Sequence, residues 1–181
     1  MERPVNSAKP TARVGFGLSL KGRALRLLAA REYSRAELER KLKRHEETPG
    51  QLAQVLDELQ AKEFISETRL VESVIHRRAG RFGALRIKHE LLNKGLGAAS
   101  VADAIDRLKG SELERAQEVW RRKFGALGMD QAGRARQMRF LLARGFSAEI
   151  AGRVLRNSKS FDRFPDDIDS VDGTTGPHAT F

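Results

Sequence analysis

Cysteine is absent from the 181 residues. That excludes a disulfide framework, a Cys-ligated metal and a thiol nucleophile. Aromatic residues are scarce at 6%, against 40% hydrophobic and 32% charged, a balance that suits thin layers of amphipathic helix better than one thick core. No apolar run approaches the roughly 20 residues that a membrane span needs. The opening stretch, MERPVNSAKPTARVGFG, lacks the apolar centre of a secretion signal. These absences lead us to expect a cytoplasmic protein.

Catalytic constellations are missing too. No serine sits in a nucleophile elbow. His45, His76, His89 and His178 share no ligand-like spacing with one another or with nearby acids. Carboxylates stand mostly at helical intervals from Arg or Lys, as Glu37 does to Lys41, which is the pattern of solvated ion pairs. Gly17–Ala24 has phosphate-loop spacing, but Arg23 replaces the Lys and Ala24 the hydroxyl, and no apolar strand precedes it. Trp120 and the phenylalanines fall on core stripes, which favours packing over stacking on bases. The expectation is a protein that is no enzyme and needs no cofactor or metal.

What is abundant is positive charge. The net charge is +10, unevenly spread. Residues 161–181 hold five Asp against Arg163, a balance of −4, and residues 1–17 a balance of +2, so 18–160 carries +12. A folded body with that excess attracts polyanions, and the attraction falls with salt. The basic residues cluster as Arg35, Arg40 and Lys41; as Arg77, Arg78, Arg81, Arg86 and Lys88; as Arg121, Arg122 and Lys123; and as Arg136, Arg139 and Arg144. These are the candidate partner- or nucleic-acid-binding residues, and their recurrence suggests a basic stripe.

Apolar residues recur at intervals of three and four, the signature of helix faces. Leu52, Val55, Leu56 and Leu59 form one stripe, and Leu70, Val71, Val74 and Ile75 another. Val101, Ile105 and Leu108 form a third, and Leu113, Ala116, Trp120, Phe124 and Leu127 the longest. The pattern predicts an all-α fold of nine helices at about 19–31, 35–44, 49–61, 67–79, 83–94, 98–109, 112–127, 131–143 and 147–157. Ser34 with Glu37, Thr48 with Gln51 and Ser111 with Glu114 match capping boxes, and Pro49 suits a first helical position.

An internal repeat organises these helices. Leu28, Leu59, Leu91 and Leu141 are each followed five residues later by Tyr33, Phe64, Leu96 and Phe146. Each follower stands two after a base, and a Ser or Gly then opens the next helix. Arg31–Ser34, Lys62–Ser66, Lys94–Gly97 and Arg144–Ser147 are thus versions of one joint, in which the apolar residue plugs the gap between helices. Gly95 and Gly145 fall where a left-handed C-terminal cap favours glycine. Such repetition predicts tandem three-helix, helix-turn-helix-like repeats stacked into an elongated monomer. The expected divisions are a flexible segment 1–17, repeats at 18–63, 64–110 and 111–157, and a flexible acidic tail 158–181.

Four segments together resemble a known family. They are ALRLLAAREYSRAELERKL (24–42), FISETRLVES (64–73), RFGALRIKHELLNKGL (81–96) and RFLLARGFS (139–147), and they are similar to the RecX regulatory proteins of bacteria over about residues 24–157. The resemblance implies three tandem three-helix repeats in an extended, curved shape. It also implies regulation, most often inhibition, of the RecA recombinase in DNA repair and the SOS response. The implied binding lies in the groove of the RecA–single-stranded DNA filament, with DNA reached through the filament and no catalytic site. Ala84 departs from the family, where proline often follows this glycine. The residues alone leave two alternatives open, a helix-turn-helix transcriptional regulator and a general basic DNA- or RNA-binding protein.

Overall fold

The computed structural model describes residues 18–125 and 130–161, all of them helix, turn or loop. Among the described residues nine α-helices follow one another: α1 Leu20–Ala30, α2 Arg35–Leu42, α3 Gln51–Ala61, α4 Glu67–Arg78, α5 Ala84–Asn93, α6 Ala98–Lys109, α7 Glu112–Phe124, α8 Gln131–Ala143 and α9 Ala148–Phe161. A 3-10 turn, Lys43–His45, continues α2. The all-α expectation and the order of helices hold. The segments 1–17 and 162–181, and Leu127 of the longest stripe, lie outside the described residues.

The chain divides into two compact units, the first ending at Leu70 and the second beginning at Val71, within α4. In the first unit α1, α2 and α3 pack on one another. Their core joins Leu20, Ala24, Tyr33, Leu38, Leu42, Leu52, Leu56, Leu59 and Ile65. In the second unit α5 packs on α6, α6 on α7, and α7 and α8 on α9. Its last three helices bury Ala116, Trp120, Leu141, Phe146, Ala151, Val154 and Leu155 together. Each Leu taken fully from water contributes about 1.5–3 kcal/mol, so the stripes are the main source of stability. Residues 64–70 of the expected second repeat fall in the first unit, and the second unit holds the rest of that repeat together with the third.

Local chemistry confirms some sequence signals and redirects others. At Ser34 the capping box is complete: its hydroxyl accepts from the Glu37 N–H, and the Glu37 carboxylate accepts from the Ser34 N–H. Ser66 and Ser147 likewise accept from the N–H groups of Arg69 and Ile150. Thr48 and Gln51 form no such box, and Pro49 is not in the helix. Helix α3 starts at Gln51 after Gly50, whose φ is +85°. The Glu46 carboxylate takes the orphan donors instead, accepting from Gly50 and Leu52. Ser111 is diverted as well: its hydroxyl donates to the Leu108 carbonyl and accepts from Arg115, leaving the start of α7 without that cap.

The third and fourth joints repeat in backbone terms. Gly95 and Gly145 both take φ +82°, and the N–H groups of Leu96 and Phe146 reach back to the carbonyls of Leu91 and Leu141. Tyr33, Leu96 and Phe146 are buried, as the plug reading requires. The second joint differs. Phe64 makes the matching bond to the Leu59 carbonyl yet is 47% exposed, and Ile65 is buried in its place. The cause is the extra residue before Ser66, together with Glu63 held at φ +57° where the third and fourth joints have glycine. Helix α9 also runs to Phe161, four residues into the stretch expected as loose tail. Nothing in Ser158–Phe161 breaks a helix already begun, since the next proline is Pro165.

Candidate functional site

The structure sorts the fourteen candidate cations by whether they already have partners. Arg35 is a structural residue: its guanidinium pairs with Asp57 at 2.7 Å and Glu39 at 3.1 Å, tying α2 to α3. The hydrogen bond to Asp57, more than any other contact, raises its pKa. Arg78 is spent on Glu90, at 2.9 Å, and Arg77 turns back to the Ser73 carbonyl of its own helix. Arg121 and Arg122 share the Glu118 carboxylate, which holds that acid below the usual carboxylate range. Such exposed pairs contribute only about 0–1 kcal/mol. Arg86 donates to the Ala143 carbonyl. Lys88, Arg136 and Arg139 are exposed.

Four candidates from three stretches of chain meet in the second unit. Arg81 from the α4–α5 turn, Arg122 and Lys123 from the end of α7, and Arg144 after α8 line a shallow pocket of about 250 Å³ with Gly80, Val119 and Phe140. Phe140 anchors the arrangement. The Arg144 guanidinium lies 3.8 Å from its ring centre, and Phe124 meets it edge-on at 5.0 Å. A guanidinium held on an aromatic face keeps its charge while losing rotamer freedom. In the first unit Arg40 and Lys41 line a separate cleft with Arg23, Arg26, Arg44 and His45. None of these four is among the candidates.

What fixes the second-unit pocket is a polar clamp on the α4–α5 turn. Glu112, 6% exposed, accepts a hydrogen bond from the Ala84 N–H at 2.8 Å, capping α5 from another helix. Arg115 donates to the carbonyls of Ala79 and Phe82, at 3.0 Å each, and to that of Leu108. Burial lowers its pKa and the nearby Glu112 charge opposes that. From the other side, the Gly83 N–H donates to the Arg144 carbonyl at 2.9 Å and the Leu85 N–H to that of Gly145 at 3.2 Å. The backbones approach so closely that a Cβ on Gly83 would fall on the peptide of Gly145. The backbone that carries Arg144 is therefore held against the turn that follows Arg81.

Sequence reasoning missed Glu112, Arg115 and Gln137, the last of which accepts the Trp120 indole N–H at 2.8 Å in the core. A signal existed for two of them. Glu112 stands four before Ala116, and Gln137 four before Leu141, so each is a polar residue on a buried stripe. A buried polar group needs a partner. Arg115 carries no such mark, because its carbonyl partners are brought to it by the turn.

Among the described residues no group of His, Asp and Glu could hold a metal ion, and no helix is long and apolar enough to cross a membrane. Fold and site together define an all-α protein of packed helices that carries clustered cations. The family model for RecX, first three-helix domain, matches residues 21–59, and that for RecX, third three-helix domain, matches 111–155. Regulatory protein RecX of Leptothrix cholodnii is 58% identical over 139 residues, covering 77% of this chain and 88% of the relative. That of Herminiimonas arsenicoxydans is 50% identical over 139 residues, 77% and 92% of the two chains. The crystal structure of RecX from Lactobacillus salivarius matches with a TM-score of 0.65 at 19% identity, covering 78% of this chain and 95% of that one, a likeness of fold. The chain belongs to the RecX family of regulatory proteins.

Proposed function

We propose that this protein binds the RecA–single-stranded DNA filament along its groove and restrains it, acting in DNA repair and the SOS response without catalysing a reaction itself. Membership of the RecX family carries this reading. The cations left without carboxylate partners support it. A recombinase filament is a continuous polyanionic helix of repeating subunits. A chain of three-helix repeats (18–63, 64–110 and 111–157) can touch successive subunits at once. Several weak contacts on one molecule then give avidity beyond any single contact.

Restraint by blocking subunit addition acts substoichiometrically, because stopping growth at an end affects every subunit that would have joined. The test is recombinase ATPase on single-stranded DNA with increasing amounts of this protein. Inhibition is expected well below one molecule per recombinase subunit. Flat activity up to equimolar protein, with bare DNA or RNA bound equally well, replaces this reading with a general nucleic-acid binder. Reversing Arg81, Lys88 and Lys123 to Glu should weaken filament binding with helicity intact, since surface charges contribute little to folding. Arg78 is a poor choice for that experiment, because its charge is needed by Glu90.

A further inference from the structure

The first unit carries a cleft of about 570 Å³ between α1 and the segment formed by α2 and its 3-10 turn. Leu27 and Leu42 give it an apolar floor, and Leu18, 51% exposed, stands at its edge. Arg23 and Arg26 enter from α1, three residues apart and hence on one helix face. Arg40, Lys41 and Arg44 enter from the opposite wall, with His45 beside them.

These charges are uncompensated. The nearby acids are committed elsewhere: Glu32 to Arg69, Glu37 to Arg31, Glu39 to Arg35, Glu46 to Lys43, and Glu58 to Lys21 and Lys62. Among the described residues, Arg23, Arg26, Arg40, Lys41 and Arg44 make no ion pair. Five like charges around one concavity focus the field and concentrate anions there. Burial, then the charges of Arg23 and Arg44, hold His45 below the usual histidine range.

We propose that this cleft is a phosphate site and that it takes consecutive phosphates of a single-stranded nucleic-acid backbone. Guanidinium forks match phosphate oxygens two at a time. The cleft is much larger than one phosphate group, and its leucines offer apolar surface to sugars and base edges, which a free inorganic anion cannot use. The choice of nucleic acid as ligand rests on the filament reading above; the phosphate chemistry does not. The cleft also accounts for Arg23, which stands where a nucleotide-binding loop would need lysine: it serves an anion from a helix face and not from a loop.

The experiment uses the full chain and labelled oligo-dT at physiological salt. The triple variant Arg26→Gln, Arg40→Gln, Arg44→Gln is compared with Lys62→Gln, Arg107→Gln, Lys109→Gln, which removes the same charge from paired sites. The cleft variant should bind about tenfold more weakly or worse, and its salt slope should fall by about 2, since each single-strand phosphate contact contributes about 0.7. Equal losses in both variants, or none in the first, overturn the site. In the wild-type protein, oligo-dT should raise the His45 pKa by NMR titration, and an unmoved His45 also overturns it. Tripolyphosphate should act only at higher concentration; if it shifts His45 at lower concentration than oligo-dT, the backbone assignment falls. Recombinase ATPase separates this site from the filament reading. Loss of oligo-dT binding in the cleft variant, with wild-type protein inert toward the recombinase, keeps the site and rejects the reading. Inhibition with cleft-independent DNA binding does the reverse.

Discussion

The buried carboxylate of Glu112 accepts the backbone N–H of Ala84 at 2.8 Å, so the first turn of α7 caps α5. Proline at position 84 is compatible with the backbone, because Gly83 is extended at ψ 168° and proline suits a first helical position. It would nevertheless remove the only donor that Ala84 offers Glu112. We expect Ala84→Pro to lower stability by about 1–2 kcal/mol, the penalty for a buried acceptor left short of a partner. That corresponds to about 2–8 °C in Tm for a chain of this size. Adding Glu112→Leu should recover part of the loss, and additive losses in thermal unfolding would contradict the capping role.

Gly145 and Gly50 both hold positive φ, but their surroundings differ. A Cβ at Gly50 meets nothing within 4 Å, whereas one at Gly145 comes within 2.6 Å of the Arg86 backbone nitrogen. Gly50→Ala should cost about 1–2 kcal/mol, the left-handed penalty alone. Gly145→Ala should cost clearly more, because the α5 start must also move. Urea unfolding of the two variants checks this, and equal losses would contradict the close approach.

Glu63 sits at φ +57° in the joint position that glycine fills at 95 and 145. Glu63→Gly should therefore stabilise the protein by up to about 1 kcal/mol, relief of strain exceeding the added chain entropy. A rise of about 2–4 °C in Tm is expected; an unchanged or lower Tm would show that Glu63 is not strained.

The Glu58 carboxylate receives Lys21 at 2.6 Å and Lys62 at 2.8 Å, and these hydrogen bonds pull its pKa from 4.5 to about 2. A depressed carboxylate stabilises the fold above its unfolded pKa and loses that contribution as pH falls toward about 2. Side-chain NMR titration should find Glu58 near that value, and Lys21→Met should move it back toward 4.5. An unshifted Glu58 in the wild-type protein would contradict the Lys21 and Lys62 bonds.

Helices were legible in the sequence because burial writes a period into it: Leu52, Leu56 and Leu59, or Val101, Ile105 and Leu108, can share a face only in a helix. Joints were legible where their chemistry is local, as at Ser34 with Glu37 or at Gly145. They misled where a remote group does the work, as Glu46 does for α3, or where one inserted residue shifts the plug from Phe64 to Ile65. The candidate site was legible as composition but not as geometry. Arg35 and Arg81 look alike in a basic run, and only folding gives one of them Asp57 and sets the other beside Lys123 and Arg144. Arg23 and Arg26, spread over a helix that reads as core, become a site only when α2 is laid against them.

The most direct test of the central claim is a comparison of binding to bare and recombinase-coated single-stranded DNA. Fluorescence anisotropy of labelled protein would be followed at physiological salt, with a non-hydrolysable ATP analogue holding the filament. The account predicts clearly tighter binding to the coated strand, lost on reversing Arg81, Lys88 and Lys123. Equal or weaker binding to the coated strand, or binding indifferent to those charges, would contradict it.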